Sequence, residues 1–372
     1  MPVPARIGLV GAGWWAQGWH LPQLARNPKA VIAAIVDPST NLRSTLNEDM
    51  EQLEALGTRY SCPTYTSADA LFAAADGQHL DGVVIASNHA SHFDICKTAL
   101  AHGAHVLCEK PMTTSPRDAW ALAEMVSARP EQYFSINNTA NWRRNTVLAH
   151  DLVSNKKRLG KVEHMSCYMG SPLLWLFDDP DNAHWCQPSG DMLGNGFGWG
   201  QMSHVIAWAL RVTELTPVDV FCEMRHSKRS GADLYDTVLI RCVENDATIA
   251  VQGTATLPGE NPVAQKRIEN KIYGEEGYLE YSGYDLTPDS GRLELRRHDG
   301  DHETYPGFEF ENYEDGGLGP ESLQAFVDVC AGDQKLDAWN GCDAETGAKV
   351  VSVIEAMYRS SSDPAGSFVR VA

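Results

Sequence analysis

The segment Gly11-Ala12-Gly13-Trp14-Trp15-Ala16 restricts the fold more than any other, because it directly follows a short apolar run, Arg6 to Val10, and opens a stretch of helical period. Two glycines at that spacing allow a tight turn and let backbone N–H groups approach a pyrophosphate at a helix N-terminus. Alone, the pattern is weak. It gains weight from Asp37, which ends a second apolar run, Val31 to Val36, where a carboxylate can accept hydrogen bonds from an adenosine ribose. Strand, glycine turn, helix and acid-terminated strand together require a parallel β-α-β unit.

The same alternation continues. Gly82 to Ala86, His105 to Cys108 and Tyr133 to Ile136 are short apolar runs of the kind buried on both faces of a parallel sheet. Between them Ser67 is placed to cap a helix carrying Leu71 and Phe72, and Gly103 to close one carrying Ile95 and Leu100. Ser115 and Asp118 read as a capping box with Pro116 at the first helical position. Residues 1–140 are therefore expected to form a Rossmann domain, a doubly wound parallel sheet. From about Leu159 the rhythm turns β-rich: Lys161 to Met169, Tyr235 to Val243, Thr248 to Thr256, Lys271 to Tyr273, Tyr278 to Tyr281 and Arg292 to Arg297. Turns at Glu244-Asn245-Asp246 and Gly274-Glu275-Glu276-Gly277 predict hairpins. Residues 141–372 thus read as an α+β domain on a large, mainly antiparallel open sheet. Helices over Glu321 to Cys330 and Asp343 to Arg359 close the chain, with room to pack back on the first domain.

The chain's 372 residues, 43% of them hydrophobic, are enough for two or three domains at ~150 residues each. Thirty Lys and Arg against 49 Asp and Glu leave a net charge of −19, which repels phosphate backbones and anionic lipid. Nucleic acid and membrane are not expected partners. The nine cysteines are scattered, with no Cys-x-x-Cys pair, as suits reduced thiols in a cytoplasm. The N-terminus lacks the basic start and apolar run of a secretory signal, so a cytoplasmic protein is expected.

Chemistry-bearing residues follow two strands. Ser87-Asn88-His89-Ala90-Ser91-His92 comes after Ala86, and Glu109-Lys110-Pro111 after Cys108, both at carboxyl ends of parallel strands, where open α/β sheets bind ligands. With the glycine turn, Glu109-Lys110-Pro111, and Gly200-Gln201-Met202-Ser203-His204 leading into Val205 to Leu210, the chain resembles the Gfo/Idh/MocA family, named for glucose-fructose oxidoreductase and inositol dehydrogenase. The resemblance implies a nicotinamide-dependent oxidoreductase acting on a ring secondary alcohol of a sugar, cyclitol or glycoside. Related readings are an enzyme that retains and recycles NAD, as a sugar-sugar oxidoreductase or a glycosidase, and a non-catalytic dinucleotide-binding sensor.

The resemblance makes Lys110 and His204 the catalytic candidates. A lysine with a pKa lowered by burial and a nearby cation can take the hydroxyl proton, and an imidazole can orient or relay it across the cleft between domains. Pro111 is a candidate for a cis bond that aims Lys110. Expected cofactor contacts are Gly11, Gly13, Trp14, Trp15, Asp37, Ser87, Asn88, His92, Glu109, Lys110 and Asn138, and expected substrate contacts are Lys110, Trp142, Arg143, Asp191, Trp199, Gln201 and His204. Asp37 favours NAD, since a carboxylate repels the 2′-phosphate of NADP; Ser39, Thr40 and Arg43 would serve a phosphate were Asp37 to swing away. His89-x-x-His92 and His102-x-x-His105 lack convergent partners, so no metal is expected.

Relatives of this type commonly carry an Asp four residues before the histidine, where this chain has Gly200. The expectation is a cleft roomier by one side chain, with Gly200→Asp impairing a bulky glycoside more than a small sugar. The aromatic and amide groups of Asn195 to Gln201 could pack on a sugar ring or merely form a packed loop. The open sheet of the second domain is expected to leave an apolar face that supports a homo-oligomer, a dimer or tetramer.

Overall fold

The computed structural model describes residues 3–74, 79–259, 266–284, 290–306, 317–336 and 338–372. They fall into two compact units. Met1–Thr113, Arg117–Asn137 and Asn312–Glu345 form one, and Thr114–Pro116, Asn138–Glu311 and Thr346–Ala372 the other.

The first unit is built on β1 (Ala5–Val10), β2 (Ala30–Val36), β3 (Thr64–Tyr65), β4 (Gly82–Ile85), β5 (His105–Cys108) and β6 (Phe134–Ile136), in spatial order β3-β2-β1-β4-β5-β6. Every neighbouring pair is parallel. Ile7, Leu9, Val83, Val84, Ile85 and Val106 are wholly buried, which explains why these strands read as continuous apolar runs rather than alternating ones. Helices α1 (Leu21–Arg26), α2 (Leu53–Tyr60), α3 (Ala68–Ala74), α4 (His92–Ala101) and α5 (Pro116–Ser127) connect them. Ser67 Oγ accepts from Ala70 N at 3.0 Å, Gly103 takes φ +81° beyond α4, and Pro116 opens α5. The short β3 carries too little pattern to be legible in sequence. A late helix, α10 (Glu321–Cys330), packs on β1 and β5 and adds Leu323, Phe326 and Val327 to this core. Burying each such side chain contributes ~1.5–3 kcal/mol. Gly82 makes room for it: a Cβ there would lie 2.6 Å from the Phe326 ring.

The second unit adds α6 (Arg144–His150), α7 (Leu174–Phe177), α8 (Ala183–Cys186), α9 (Ser203–Thr213) and α11 (Ala344–Ser361) to a nine-stranded sheet. Its strands are β7 (Val162–Gly170), β8 (Pro217–His226), β9 (Asp233–Cys242), β10 (Thr248–Thr254), β11 (Arg267–Gly274), β12 (Gly277–Tyr284), β13 (Arg292–Arg297), β14 (His302–Pro306) and β15 (Val369–Arg370). The order is β14-β13-β12-β11-β7-β10-β9-β8-β15, antiparallel throughout except where β7 meets β10. Glu275 and Glu276 form the two-residue turn joining β11 to β12, with Gly274 paired to Gly277. Helix α9 packs on β7 and β10.

Burial along β9 alternates, with Val238, Ile240 and Cys242 inside and Tyr235, Thr237 and Arg241 outside. Neighbouring strands follow suit, placing Ser166, Tyr168, Gln252, Glu269 and Lys271 on the outer face. The expected apolar face is therefore a polar and aromatic one. Hydrophobic residues that seemed available for it point inward against the helices. No described helix is long and apolar enough to cross a membrane.

Candidate active site

The strand order of the first sheet reverses at β1 and β4, and the crevice at such a switch point is where open α/β sheets receive ligands. Gly11 and Ser87 meet there. Gly11 adopts φ +95°, and a Cβ on it would stand 2.4 Å from Ser87 N, so packing alone demands glycine. Gly13 differs: a Cβ there would have no atom within 4 Å. The protein's own packing leaves that position open, as close approach of a pyrophosphate requires. Beyond it the chain is helical from Trp14 through Arg26, with a π-helical turn at Ala16–His20.

Asp37 is clamped onto the turn. Its Oδ2 accepts from Ala12 N and its Oδ1 from Ser39 N, each at 2.9 Å. Ser87 shares a 2.8 Å hydrogen bond with Ser91, and Asn88 is exposed at the entrance to α4. These residues, with Trp14 and Trp15 packed edge-on at 5.4 Å, form the wall into which the sequence placed a dinucleotide.

Glu109 is a hub. Its Oε1 accepts from Trp15 Nε1 at 2.9 Å, His20 Nε2 at 2.9 Å and Asn137 Nδ2 at 2.8 Å, while Asn137 Oδ1 accepts from the Ser322 hydroxyl at 2.6 Å. Burial alone would push the Glu109 carboxyl up. The hydrogen bonds from His20 and Asn137, with the attraction of His20 and Lys110, outweigh it and hold the group at about 2. One carboxylate thereby ties together the glycine-turn helix, the ends of β5 and β6, and α10. Because its folded pKa lies below the ordinary 4.5, the stability it contributes is present above that pH and lost as pH falls towards 2. Glu109→Gln should cost ~1.5–3 kcal/mol at neutral pH. Urea unfolding across the acid range should also show a flatter pH dependence for the variant than for wild type.

Lys110 follows directly, half-buried, and its bond to Pro111 is cis. His92 lies beneath it. The ring is wholly buried, with Nδ1 2.8 Å from Pro111 O and Nε2 3.1 Å from Ser87 O. Burial drives its pKa down, more than the two carbonyls raise it. The buried ring is enclosed between two main-chain carbonyls, one of which its single N–H bonds when neutral, so His92 is not the cofactor contact its position suggested; it packs the Ser87 loop against the Lys110 loop.

In the second unit, His204 is the second residue of α9 and partly exposed, preceded by a π-helical turn, Gly198–Met202. Gln201 is partly exposed, although its Oε1 is buried and receives no hydrogen bond among the described residues. Asp191 is exposed, its N–H directed to Thr114 Oγ1 at 3.4 Å. The remaining expected contacts are interior. Asn138, Trp142, Arg143 and Trp199 are only 2%, 6%, 2% and 1% exposed, so none offers an open contact surface within its unit. Trp199 stacks on Tyr358, with centroids 6.2 Å apart, and is a packing residue, not a sugar platform.

Gly200 also departs from expectation. A Cβ on it would come within 2.6 Å of the Phe177 ring, which is itself wholly buried. The space a side chain would take is filled by protein, not left to a ligand. A spacing of four residues was read as one α-helical turn into the pocket; position 200 instead lies in the π turn Gly198–Met202 and faces Phe177.

Sequence reasoning passed over His20, Asn137, Phe177, Asp233, Asp236 and Tyr358. One signal was available: Asp236 shares the inward register of β9 with Val238 and Ile240, an unusual place for an acid.

Residues 5–137 match the model of an oxidoreductase family with an NAD-binding Rossmann fold, GFO_IDH_MocA. The rhizopine catabolism protein MocA of Rhizobium meliloti is 30% identical over 165 residues, 44% of this chain and 46% of that protein. UDP-N-acetylglucosamine 3-dehydrogenase of Acidithiobacillus ferrooxidans is 28% identical over 124 residues, 33% of this chain and 34% of that protein. The chain thus spans about a third to a half of these curated relatives. The crystal structure of GenD2 from gentamicin A biosynthesis, in complex with NAD, aligns with a TM-score of 0.72 at 19% identity, covering 100% of this chain and 97% of that one. At that identity the likeness establishes the fold.

Proposed function

We propose that the chain, whose residues 5–137 match the Gfo/Idh/MocA oxidoreductase family, transfers a hydride between NAD and a ring secondary alcohol of a sugar, cyclitol or glycoside. The observation that carries this reading is the first unit's crevice, where a glycine position left open by packing, a clamped ribose-type carboxylate and a half-buried lysine share the carboxyl ends of β1, β2 and β5. Gly11, Gly13 and Asp37 would hold the dinucleotide. Bound there, the nicotinamide supplies the hydride acceptor or donor.

The chain's own residues handle the proton. Lys110, in its neutral form, takes the substrate's hydroxyl proton at Nζ as the carbon gives up hydride, and returns it in the reverse direction. Glu109 carries the opposite charge one residue away and is held by Trp15, His20 and Asn137, which fixes the loop that presents Lys110. His204, partly exposed at the start of α9, is the acid/base candidate of the second unit, as the family resemblance implies. The names of the curated relatives support a sugar or related polyol as the substrate class.

NAD is favoured over NADP because Asp37 is fastened at both oxygens and does not swing aside without breaking two hydrogen bonds. A panel of sugars, cyclitols and glycosides assayed for nicotinamide reduction with both cofactors tests the reading. Reduction of NAD by at least one ring alcohol is expected; a protein inert on the whole panel, yet binding NAD, would instead be a sensor. Asp37→Ala should weaken NAD and relax discrimination against NADP, through loss of a ribose hydrogen bond and of like-charge repulsion. Tenfold better efficiency of wild type on NADP would overturn the assignment and promote Ser39, Thr40 and Arg43.

A further inference from the structure

The glycines at 194, 196, 198 and 200 form the chain's one compositional oddity, and the structure sets three of them against one bonded pair, Asp233 and Tyr358. A Cβ on Gly194 would sit 2.6 Å from the Tyr358 ring and one on Gly196 2.5 Å from Asp233 Oδ1. One on Gly198 would lie 3.0 Å from the Tyr358 hydroxyl and 3.4 Å from Asp233 Oδ2. The loop is stripped of side chains along the edge that presses on a buried acid. That acid is wholly enclosed: Asp233 is 0% exposed, and Asp236, three residues on in β9, is 2% exposed.

Asp233 is well supplied with donors. Gly198 N donates to its Oδ2 at 2.6 Å and the Tyr358 hydroxyl to its Oδ1 at 2.5 Å. Asp236 is not. Among the described residues neither of its oxygens receives a hydrogen bond from an N–H or hydroxyl, and the polar group against it is the Asp233 carboxyl. Two buried carboxylates side by side repel, and one without donors is costly. A proton on Asp236, shared with Asp233, removes both penalties. Burial and the charge of Asp233 accordingly push the Asp236 pKa well up.

We propose that Asp233 and Asp236 form a buried acid pair holding a single proton, in which ionised Asp233 anchors Gly198 and Tyr358 and so positions the segment that runs through the π turn into His204. The groups that face the pair are Tyr358 from α11, Cys222 and Met224 from β8, Gly253 from β10, and the glycine loop itself. Of these Tyr358 and Cys222 are titratable, and burial pushes both up; His226, the cross-strand partner of Asp233 on β8, is exposed. Glu223 neighbours Cys222 on β8 but is exposed. Gly253, the cross-strand partner of Asp236, leaves the space that Met202 and Phe197 enter, pressing the same segment onto the sheet. Asp233 and Asp236 are positioning residues. Their consequence for turnover rests on the role proposed for His204; the anchoring does not.

The experiment is amide hydrogen exchange of the full-length protein, read on peptides covering 194–204 and corrected for intrinsic rates, in wild type, Asp233→Asn and Asp236→Asn. Asp233→Asn removes the anionic acceptor and should speed exchange of this segment ~10- to 100-fold at neutral pH. Asp236→Asn keeps a neutral donor towards Asp233 and should exchange like wild type at neutral pH. As pH rises through the pair's titration wild type should loosen, because the pair loses its proton, while Asp236→Asn, which has none to lose, should not. Should Asp233→Asn not fold, Tyr358→Phe keeps the ring and deletes one donor, and a smaller increase confined to the segment is expected. Unchanged exchange in the anchor variant, or equal loosening in Asp233→Asn and Asp236→Asn at neutral pH, overturns the proposal. So does an identical pH dependence of exchange in wild type and Asp236→Asn. Faster exchange with unaltered turnover upholds the anchor and counts against His204 as a catalytic group.

Discussion

Lys110→Ala lowers turnover by ~10²–10⁴, the usual contribution of a general acid/base, while leaving NAD affinity within a few fold. The separation follows from where the residue stands. Lys110 sits between the Glu109 hub, whose three donors come from other side chains, and Pro111, whose carbonyl is held by His92. Truncating Lys110 removes its attraction for Glu109 but leaves the three hydrogen bonds to that carboxylate, so the loop and the dinucleotide wall at Gly11, Gly13 and Asp37 keep their geometry. A structural lysine would show the opposite: reduced stability and reduced cofactor affinity together. Titrating NAD by quenching of the tryptophan fluorescence, alongside single-turnover rates on a confirmed substrate, distinguishes the two. Wild-type turnover by the variant would remove Lys110 from the chemistry altogether. Adding back small primary amines offers a sharper check, since an amine that restores rate in proportion to its basicity replaces the proton acceptor itself.

The first unit was legible in sequence because each of its devices is local. A parallel strand declares itself as an apolar run, a glycine turn as spacing, and a cap as one side chain three residues from its N–H, as Ser67 and Ala70 show. The second unit was partly legible for the same reason: Glu275 and Glu276 make a turn that two flanking glycines announce. The long β8 was missed although its buried Val220, Cys222 and Met224 alternate with Asp219, Phe221, Glu223 and Arg225, a period-2 pattern that was available in the sequence. What sequence could not supply was contact at a distance. Glu109 is tied to His20, 89 residues earlier, and Tyr358 to Asp233, 125 residues earlier. Neither partner carries a mark that distinguishes it from other histidines or tyrosines of the chain. Trp142 and Trp199 illustrate the converse, since an aromatic residue near a glycine-rich loop reads equally well as ligand platform or core, and burial alone decides.

Gly200→Asp is expected to destabilise the second unit severely, with no selective effect on bulky substrates. The new Cβ would lie 2.6 Å from Phe177 Cζ and 3.0 Å from Cε1. Phe177 has nowhere to go. Its ring packs edge-on against Phe197 and Trp185, and its carbonyl accepts the Ser230 hydroxyl at 2.5 Å. Overpacking of this kind costs ~1–3 kcal/mol, and a carboxylate introduced at a buried position without a partner adds a comparable or larger penalty. Gly200→Ala isolates the first part, since it brings the Cβ without the charge. It should lower the unfolding free energy by ~1–3 kcal/mol, and pairing it with Phe177→Leu should recover part of that loss, giving a coupling energy that additive effects would not produce. Denaturant unfolding of the two single variants and the double variant measures it. If Gly200→Ala is neutral, or if Gly200→Asp folds normally and raises turnover, position 200 faces substrate rather than Phe177, and the absent carboxylate becomes a gap in a proton relay that the new side chain repairs.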